Sequence, residues 1–326
     1  MITILTPTYN RAHTLARVFE SLERQGRRDF EWLVVDDGST DGTAALVAGF
    51  GARADFPVRY LAKENGGRHT ALNLGFAEAA GEHLIVMDSD DWLADDALES
   101  FVRAWESIPA AEREGFAAVA GLCAAPSGAL IGTEYPADPL DSDFVEIRAV
   151  HGVKGDKKEM FRTEVVRALP FPVFPGEKRV PFSHMLVRLS RRGRVRFFNR
   201  VVTVKEYRAD GLTASVDRIR MRSPLGSRAG YLQWLAARTP VPAAFRLRHY
   251  ANFVRYSLHA RVGVGQQLRE VGSVPFWLGA MPAGVALFCR DRLRFRGAAP
   301  AAAVPEAPAA AAQRTSHSVP SGEASS

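Results

Sequence analysis

The first hundred residues alternate short apolar runs with stretches of helical periodicity. Ile2–Thr6 reads as a buried strand, after which Leu15, Val18, Phe19 and Leu22 recur at a spacing that lays one apolar stripe along a helix. Phe30–Val35, rich in aromatic and β-branched side chains, is a second strand, and Asp41-Gly42-Thr43 opens a second helix. Val58–Leu61 is a third strand, His69–Ala80 a helix stopped by Gly81, and His83–Met87 a fourth strand. Strands separated by helices predict a mostly parallel sheet covered on both faces, Rossmann-like in class, and ligands of such sheets bind beyond the carboxyl ends of the strands.

Past Ala94 the pattern loosens. Residues 94–107 suit a helix, 117–125 and 143–149 two strands, and 162–169 and 182–190 two helices. Val195–Tyr207 has strand character around an Asn199-Arg200 turn, and residues 216–262 read as helices rich in arginine and aromatics. The segment 271–289 carries no charge and runs into Arg290, Arg292, Arg294 and Arg296. Its prolines and glycines argue against a spanning helix and for one lying in a membrane interface. Residues 297–326 are Ala, Pro and Ser with few large apolar side chains, and are expected to be disordered.

Charge sharpens the division. The net charge of +6 conceals 15 basic and 27 acidic side chains over residues 1–160, against 21 basic and 5 acidic over 161–262. The basic part favours an anionic partner, such as a membrane surface or a phosphorylated lipid. A nucleic acid is not expected, because neither zinc-ligand spacing nor an RNP-type aromatic motif accompanies the charge. Two distant cysteines, Cys123 and Cys289, fit a reducing compartment, and the opening MITILTP has no basic leader. A cytoplasmic protein, peripheral on the cytoplasmic membrane face, is the expectation.

Candidate chemistry gathers at the predicted strand ends. The first strand ends in Thr6-Pro7-Thr8-Tyr9-Asn10-Arg11, polar and aromatic groups able to stack on a base and bond a ribose; the same residues are also ordinary turn formers. The second runs into Asp36-Asp37, where one carboxylate could accept from a pyrimidine N–H, or the stretch could simply cap the next helix through Asp41. Asn65-Gly66-Gly67-Arg68, followed by Asn73, offers close backbone approach and a cation at a helix start to a diphosphate. Neither a Walker loop nor G-x-G-x-x-G is present, which argues against P-loop and dinucleotide-binding proteins. The fourth strand ends in Asp88-Ser89-Asp90-Asp91. Carboxylates crowded there are hard ligands for Mg²⁺ or Mn²⁺ shared with substrate phosphates.

Together TPTYNR, VVDDGSTDGT, ENGGRHTALNLGFAEAAG and VMDSDDWL, in that order, resemble the family 2 glycosyltransferases of the GT-A fold, closely over residues 1–100. The resemblance implies an inverting transfer of sugar from a nucleotide-diphosphate donor, a UDP-sugar, to an acceptor hydroxyl in cell-envelope glycan or polysaccharide synthesis. It assigns Thr6, Pro7, Tyr9, Asn10 and Arg11 to the nucleoside, Asp37 to the base, and Asn65, Gly67, Arg68, Asn73, Asp88 and Ser89 to the nucleotide sugar. Asp90 and Asp91 are assigned to a divalent metal cofactor, Mn²⁺ or Mg²⁺. The acceptor is expected to be a glycan or lipid-linked, such as a polyprenyl-diphosphate glycan. Residues 1–215 then form the GT-A domain, with a nucleotide-binding half over 1–100 and an acceptor half over 101–215. A basic helical extension over 216–296 and the tail over 297–326 follow. Residues 155–183 are similar to a bacterial subgroup in which a pattern like GEKFVPE ends in the acceptor-side carboxylate. Here it reads GEKRVPF, with Arg179 and Phe182 at two of those positions, so Glu177 and, in reserve, Asp156 are the candidate catalytic bases. A non-catalytic nucleotide-sugar-binding or scaffold protein is the alternative.

Overall fold

The structure is a computed structural model that describes residues 1–206 and 216–295. In chain order the first elements are β1 (Ile2–Thr8), α1 (Ala12–Glu23), β2 (Phe30–Asp36), α2 (Thr43–Arg53), β3 (Val58–Ala62), α3 (Arg68–Glu78), β4 (His83–Val86), β5 (Trp92–Leu93) and α4 (Ala97–Glu106). They are followed by β6 (Phe116–Ala124), β7 (Leu140–Ser142), α5 (Phe144–Ala149), β8 (Lys157–Arg162), α6 (Thr163–Arg167), α7 (Ser183–Leu189) and β9 (Arg194–Val204). Helices α8 (Val216–Arg222), α9 (Pro224–Leu235), α10 (Ala243–His259), α11 (Val264–Glu270) and α12 (Val274–Arg294) close the described chain. The tail expected over 297–326 and the domain boundary expected at 215 lie outside the described residues.

One sheet runs β3-β2-β1-β4-β8-β6-β9-β5, with β7 paired to β9. The first four neighbours are parallel, whereas β8 lies antiparallel between β4 and β6. Its beginning therefore sits at the same sheet edge as the ends of β1, β2 and β4. Alternation divides the core: Leu33 and Val35 of β2 face one layer with Leu72, Phe76 and Phe161, while Trp32 and Val34 face the other with Phe19 and Phe101. Helices cover both faces, as the βαβ pattern predicted.

Three expectations change. Residues 143–149, read as a strand, form a helix, because the Asp143 carboxylate accepts from the Val145 and Glu146 amides and caps it. No turn interrupts the chain at Asn199-Arg200. Strand β9 passes through with shifts in its register against β6, and the Asn199 side chain ties to the backbone of Tyr135. Strand β8 was not expected at all. The segment 271–289 falls largely in α12, one face of which buries Trp277 and Ala280 against Tyr250, Phe253 and Val254 of α10. Leu278 is exposed on α12. Among the described residues no helix is long and apolar enough to cross a membrane.

Candidate active site

Backbone polarity and turn chemistry build the edge where β1, β2 and β4 end. Asp36 is buried, accepting from the Ser39 amide and the Tyr60 hydroxyl, and Asp41 accepts from the Thr43 and Ala12 amides, which sets the starts of α2 and α1. The Asp37 carboxylate takes four donors: Lys63 Nζ at 2.6 Å, the Gly66 amide at 2.9 Å, the Gly67 amide at 2.7 Å and Asn65 Nδ2 at 3.2 Å. It is saturated, so it shapes the loop at 65–67 and has no lone pair left for a base N–H. The same bonds consume the two glycine amides that the sequence offered to a diphosphate. Gly67, at φ 97°, must be glycine, because a Cβ there would lie 2.1 Å from the Lys178 carbonyl.

Beyond these turns lies a cavity of about 680 Å³. Of the sequence-derived candidates, Pro7, Tyr9, Arg11, Asp37, Asn65, Gly67, Arg68, Asp88, Ser89, Asp90, Asp91 and Asp156 line it. Tyr9 is exposed at its mouth, an aromatic face available for stacking. Four candidates do not line it. Thr6 is buried and accepts from the Trp32 indole at 2.9 Å. Asn10 spans the turn, its amide donating to Ser39 Oγ and its Oδ1 accepting from the Thr40 amide. Asn73 is a strut, bonded through both side-chain atoms to the backbone of Phe171. Glu177 accepts from the Leu225 amide at 2.8 Å and the Gly226 amide at 2.7 Å, so it caps α9 and is not placed to take a proton from a ligand in the cavity.

The antiparallel β8 and the end of β9 deliver what the sequence reading missed. Lys158, Glu159 and Lys205 all line the cavity. Lys205 Nζ lies 3.2 Å from Asp91, 3.1 Å from Asp156 and 4.0 Å from Asp88, while Lys158 Nζ is 3.8 Å from Asp91 and donates to the Val86 carbonyl. Arg68 grips Asp88 through Nε at 2.9 Å and Nη2 at 2.5 Å. Burial opposes ionisation of Asp88, but Arg68, Lys205 and Lys158 outweigh it and hold its pKa below the usual carboxylate range. Burial likewise dominates at Asp91, raising it to about 6 against the pull of Lys158 and Lys205. Burial works against the charge of Lys205, yet Asp91, Asp88 and Asp156 together raise its pKa.

Glu159 differs from the other buried acids. It makes no side-chain hydrogen bond or ion pair among the described residues, and burial pushes its pKa up to about 7. Three charged residues open KKEMFR, so no alternation of polar and apolar positions marks the strand that carries it. Phe182, at the position where the resemblance places a carboxylate, sits in the cavity wall with the Arg68 guanidinium 5.2 Å from its ring.

A divalent cation suits Asp90 and Asp91. Asp90 has no side-chain partner among the described residues and so has unmet acceptor capacity, whereas Asp91 Oδ2 is buried without a hydrogen bond but lies 3.2 Å from Lys205 Nζ, an ammonium that a cation would displace. No group of three or more His, Cys, Asp or Glu side chains forms a ready cage among the described residues. Two carboxylates can supply part of a shell that substrate phosphates and water complete, as for Mg²⁺ and Mn²⁺.

The strand order, the antiparallel β8 and the acidic edge define a GT-A α/β fold. Residues 3–111 match the model of Glycosyl transferase family 2. The chain is 32% identical over 102 residues to glycosyltransferase GlyA of Streptococcus pneumoniae, a match covering 31% of this chain and 14% of that protein. TarS of Staphylococcus aureus, a poly(ribitol-phosphate) β-N-acetylglucosaminyltransferase, is 32% identical over 98 residues, covering 29% of this chain and 17% of that one. The chain thus matches well under a fifth of the length of either relative. The crystal structure of TarS 1–349 superposes with a TM-score of 0.59 at 15% identity, over 90% of this chain and 91% of that one. The mannosyltransferase PcManGT from Pyrobaculum calidifontis, in complex with GDP-Man and Mn²⁺, gives 0.54 at 20% identity over 89% and 87%.

Proposed function

We propose that this protein is an inverting glycosyltransferase that moves a sugar from a UDP-sugar to an acceptor hydroxyl in cell-envelope glycan synthesis. The observation that carries the reading is the convergence, in one cavity, of an aromatic face (Tyr9), an arginine (Arg68), the carboxylates Asp88, Asp90 and Asp91, and the unpartnered Glu159. Tyr9 stacks on the base. Asp90 and Asp91 hold a divalent cation, which when bound supplies Lewis-acid stabilisation to the departing diphosphate. Glu159 removes the proton from the acceptor hydroxyl as that oxygen attacks the anomeric carbon. The bond to the diphosphate oxygen breaks on the opposite side, and the electron pair leaves with the nucleotide. Asp156 lies 3.1 Å from Lys205 and is the less available base.

Location on the cytoplasmic membrane face belongs to the same proposal, supported on α12 by exposed Leu278 in the first half and by exposed Leu293 beside Arg290, Arg292 and Arg294 at the end. One observation favours a non-catalytic binder, namely Phe182 in place of a carboxylate. Donor turnover decides between the two readings. A panel of nucleotide sugars incubated with Mn²⁺ should yield free nucleoside diphosphate from at least one donor, and Asp91→Ala should abolish it. A chain that binds a donor but never releases its diphosphate, whatever acceptor is supplied, is a binder.

A further inference from the structure

Arg179 stands at the junction of two cavities, lining both the large one and an adjoining one of about 180 Å³. Its backbone is clamped: a Cβ on Gly226 of α9 would come within 2.0 Å of the Arg179 carbonyl, and Glu177 holds the amides of Leu225 and Gly226. On the side chain, Nη1 is buried without a hydrogen-bond partner among the described residues. The charges around it have the wrong sign to satisfy it. Arg220 lines the smaller cavity beside it, Arg68 is the next cation, and neither Arg179 nor Arg220 forms an ion pair with a carboxylate among the described residues. A half-buried guanidinium close to a second guanidinium, with neither paired to a carboxylate, is unfavourable unless an anion joins them.

We infer that Arg179 and Arg220 form an anion subsite for a phosphate ester carried by the acceptor. The inference rests on the transferase reading for the word acceptor, while phosphate binding itself stands apart from it. The small volume is below that of a pocket for a whole ligand and suits one phosphate group, leaving the nucleotide to the larger space. Paired guanidinium forks match phosphate oxygens, and the Ser183 hydroxyl in the same wall adds a donor. Burial, then Arg220, lowers the Arg179 pKa to about 10, which still leaves it charged at neutral pH. The subsite also gives the arginine of GEKRVPF a role, since Arg179 lines the smaller cavity, whereas Phe182 lines the larger one.

Trp234 lines the smaller cavity and provides a local probe. Titration of the full chain with glycerol 3-phosphate at low salt, read by calorimetry and by Trp234 emission against a Trp234→Phe control, measures the site without any turnover. Arg179→Met and Arg220→Gln should each weaken binding by about tenfold or more. Arg179→Met should also melt no lower than the parent when phosphate is absent, and should lose the rise in melting temperature that phosphate gives the parent. A parallel arm measures co-sedimentation with phosphatidylcholine vesicles containing a polyprenyl phosphate. Loss in the soluble arm assigns a free phosphate ester, and loss in the vesicle arm assigns a lipid headgroup; either upholds the subsite. Unchanged binding in both arms for both variants overturns it. Failure of sugar transfer with phosphate binding intact sinks the transferase reading alone.

Discussion

Replacing Glu159 by Gln keeps the shape of the side chain and removes its capacity to take a proton, and the structure sets the size of two opposed effects. The folded chain holds the Glu159 proton up to about pH 7, whereas an unfolded glutamate loses it near 4.5. Between those values the native state binds more protons than the unfolded one, so stability falls as pH rises and is lowest above pH 7. The cost at neutral pH is about 3 kcal/mol as an upper figure, because a pKa unit corresponds to about 1.4 kcal/mol. Glu159→Gln removes it, so the variant should melt higher than the parent at pH 8 by a few degrees and no higher at pH 4.5. Activity should move the other way. Loss of a general base lowers kcat by about 10²–10⁴-fold, and the parent's kcat/KM should climb about tenfold per pH unit toward pH 7 before levelling. Initial rates of nucleoside diphosphate release from pH 5 to 9, with melts over the same range, read both. A variant within threefold of the parent in rate, with the same pH profile, would show that the proton goes elsewhere.

Glu177→Ala, which removes the cap on α9, should lower stability to urea by about 1–2 kcal/mol. It should reduce kcat by less than about tenfold, and a loss on the scale of a missing base would return Glu177 to the chemistry. Lys205→Met leaves Asp88, Asp91 and Asp156 without their nearest ammonium, and charges 4 Å apart interact by about 4 kcal/mol near a protein surface. Calorimetry without nucleotide should find Mn²⁺ bound at least about tenfold more tightly than by the parent; equal affinity would mean that Lys205 does not compete for the site. Leu278→Glu should reduce binding to anionic vesicles, and unaltered co-sedimentation would remove α12 from any membrane contact.

The parallel half of the sheet was legible because its strands are buried on both faces. Ile2–Thr8, Phe30–Asp36 and His83–Val86 are buried throughout, and an apolar run between turn residues signals that directly. The acidic edge was legible for the complementary reason, that Asp88, Asp90 and Asp91 exceed what one helix cap requires. Lys157–Arg162 was not, because the strand enters the sheet at the cavity and its first three side chains are charged and buried. Local polarity there reflects the site and conceals the element. Phe144–Ala149 alternates like a strand, and only the bonds from Asp143 decide for a helix. Asp37 and Glu177 show a second limit. Both are carboxylates at the right place in the chain, yet partners distant in sequence engage them: donors at 63–67 saturate Asp37, and the amides at 225–226 hold Glu177 at the start of α9, away from the cavity.

On the proposed reading, one edge of the sheet holds a nucleotide diphosphate and a divalent cation together. A crystal structure of the full chain grown with UDP and Mn²⁺, with the anomalous signal of manganese recorded, addresses it directly. A manganese peak should lie beside Asp90 and Asp91, with diphosphate oxygens completing its shell and the uracil ring against Tyr9. A nucleotide bound away from those aspartates, or bound there without manganese while Lys205 keeps its contacts to Asp91 and Asp156, would contradict it.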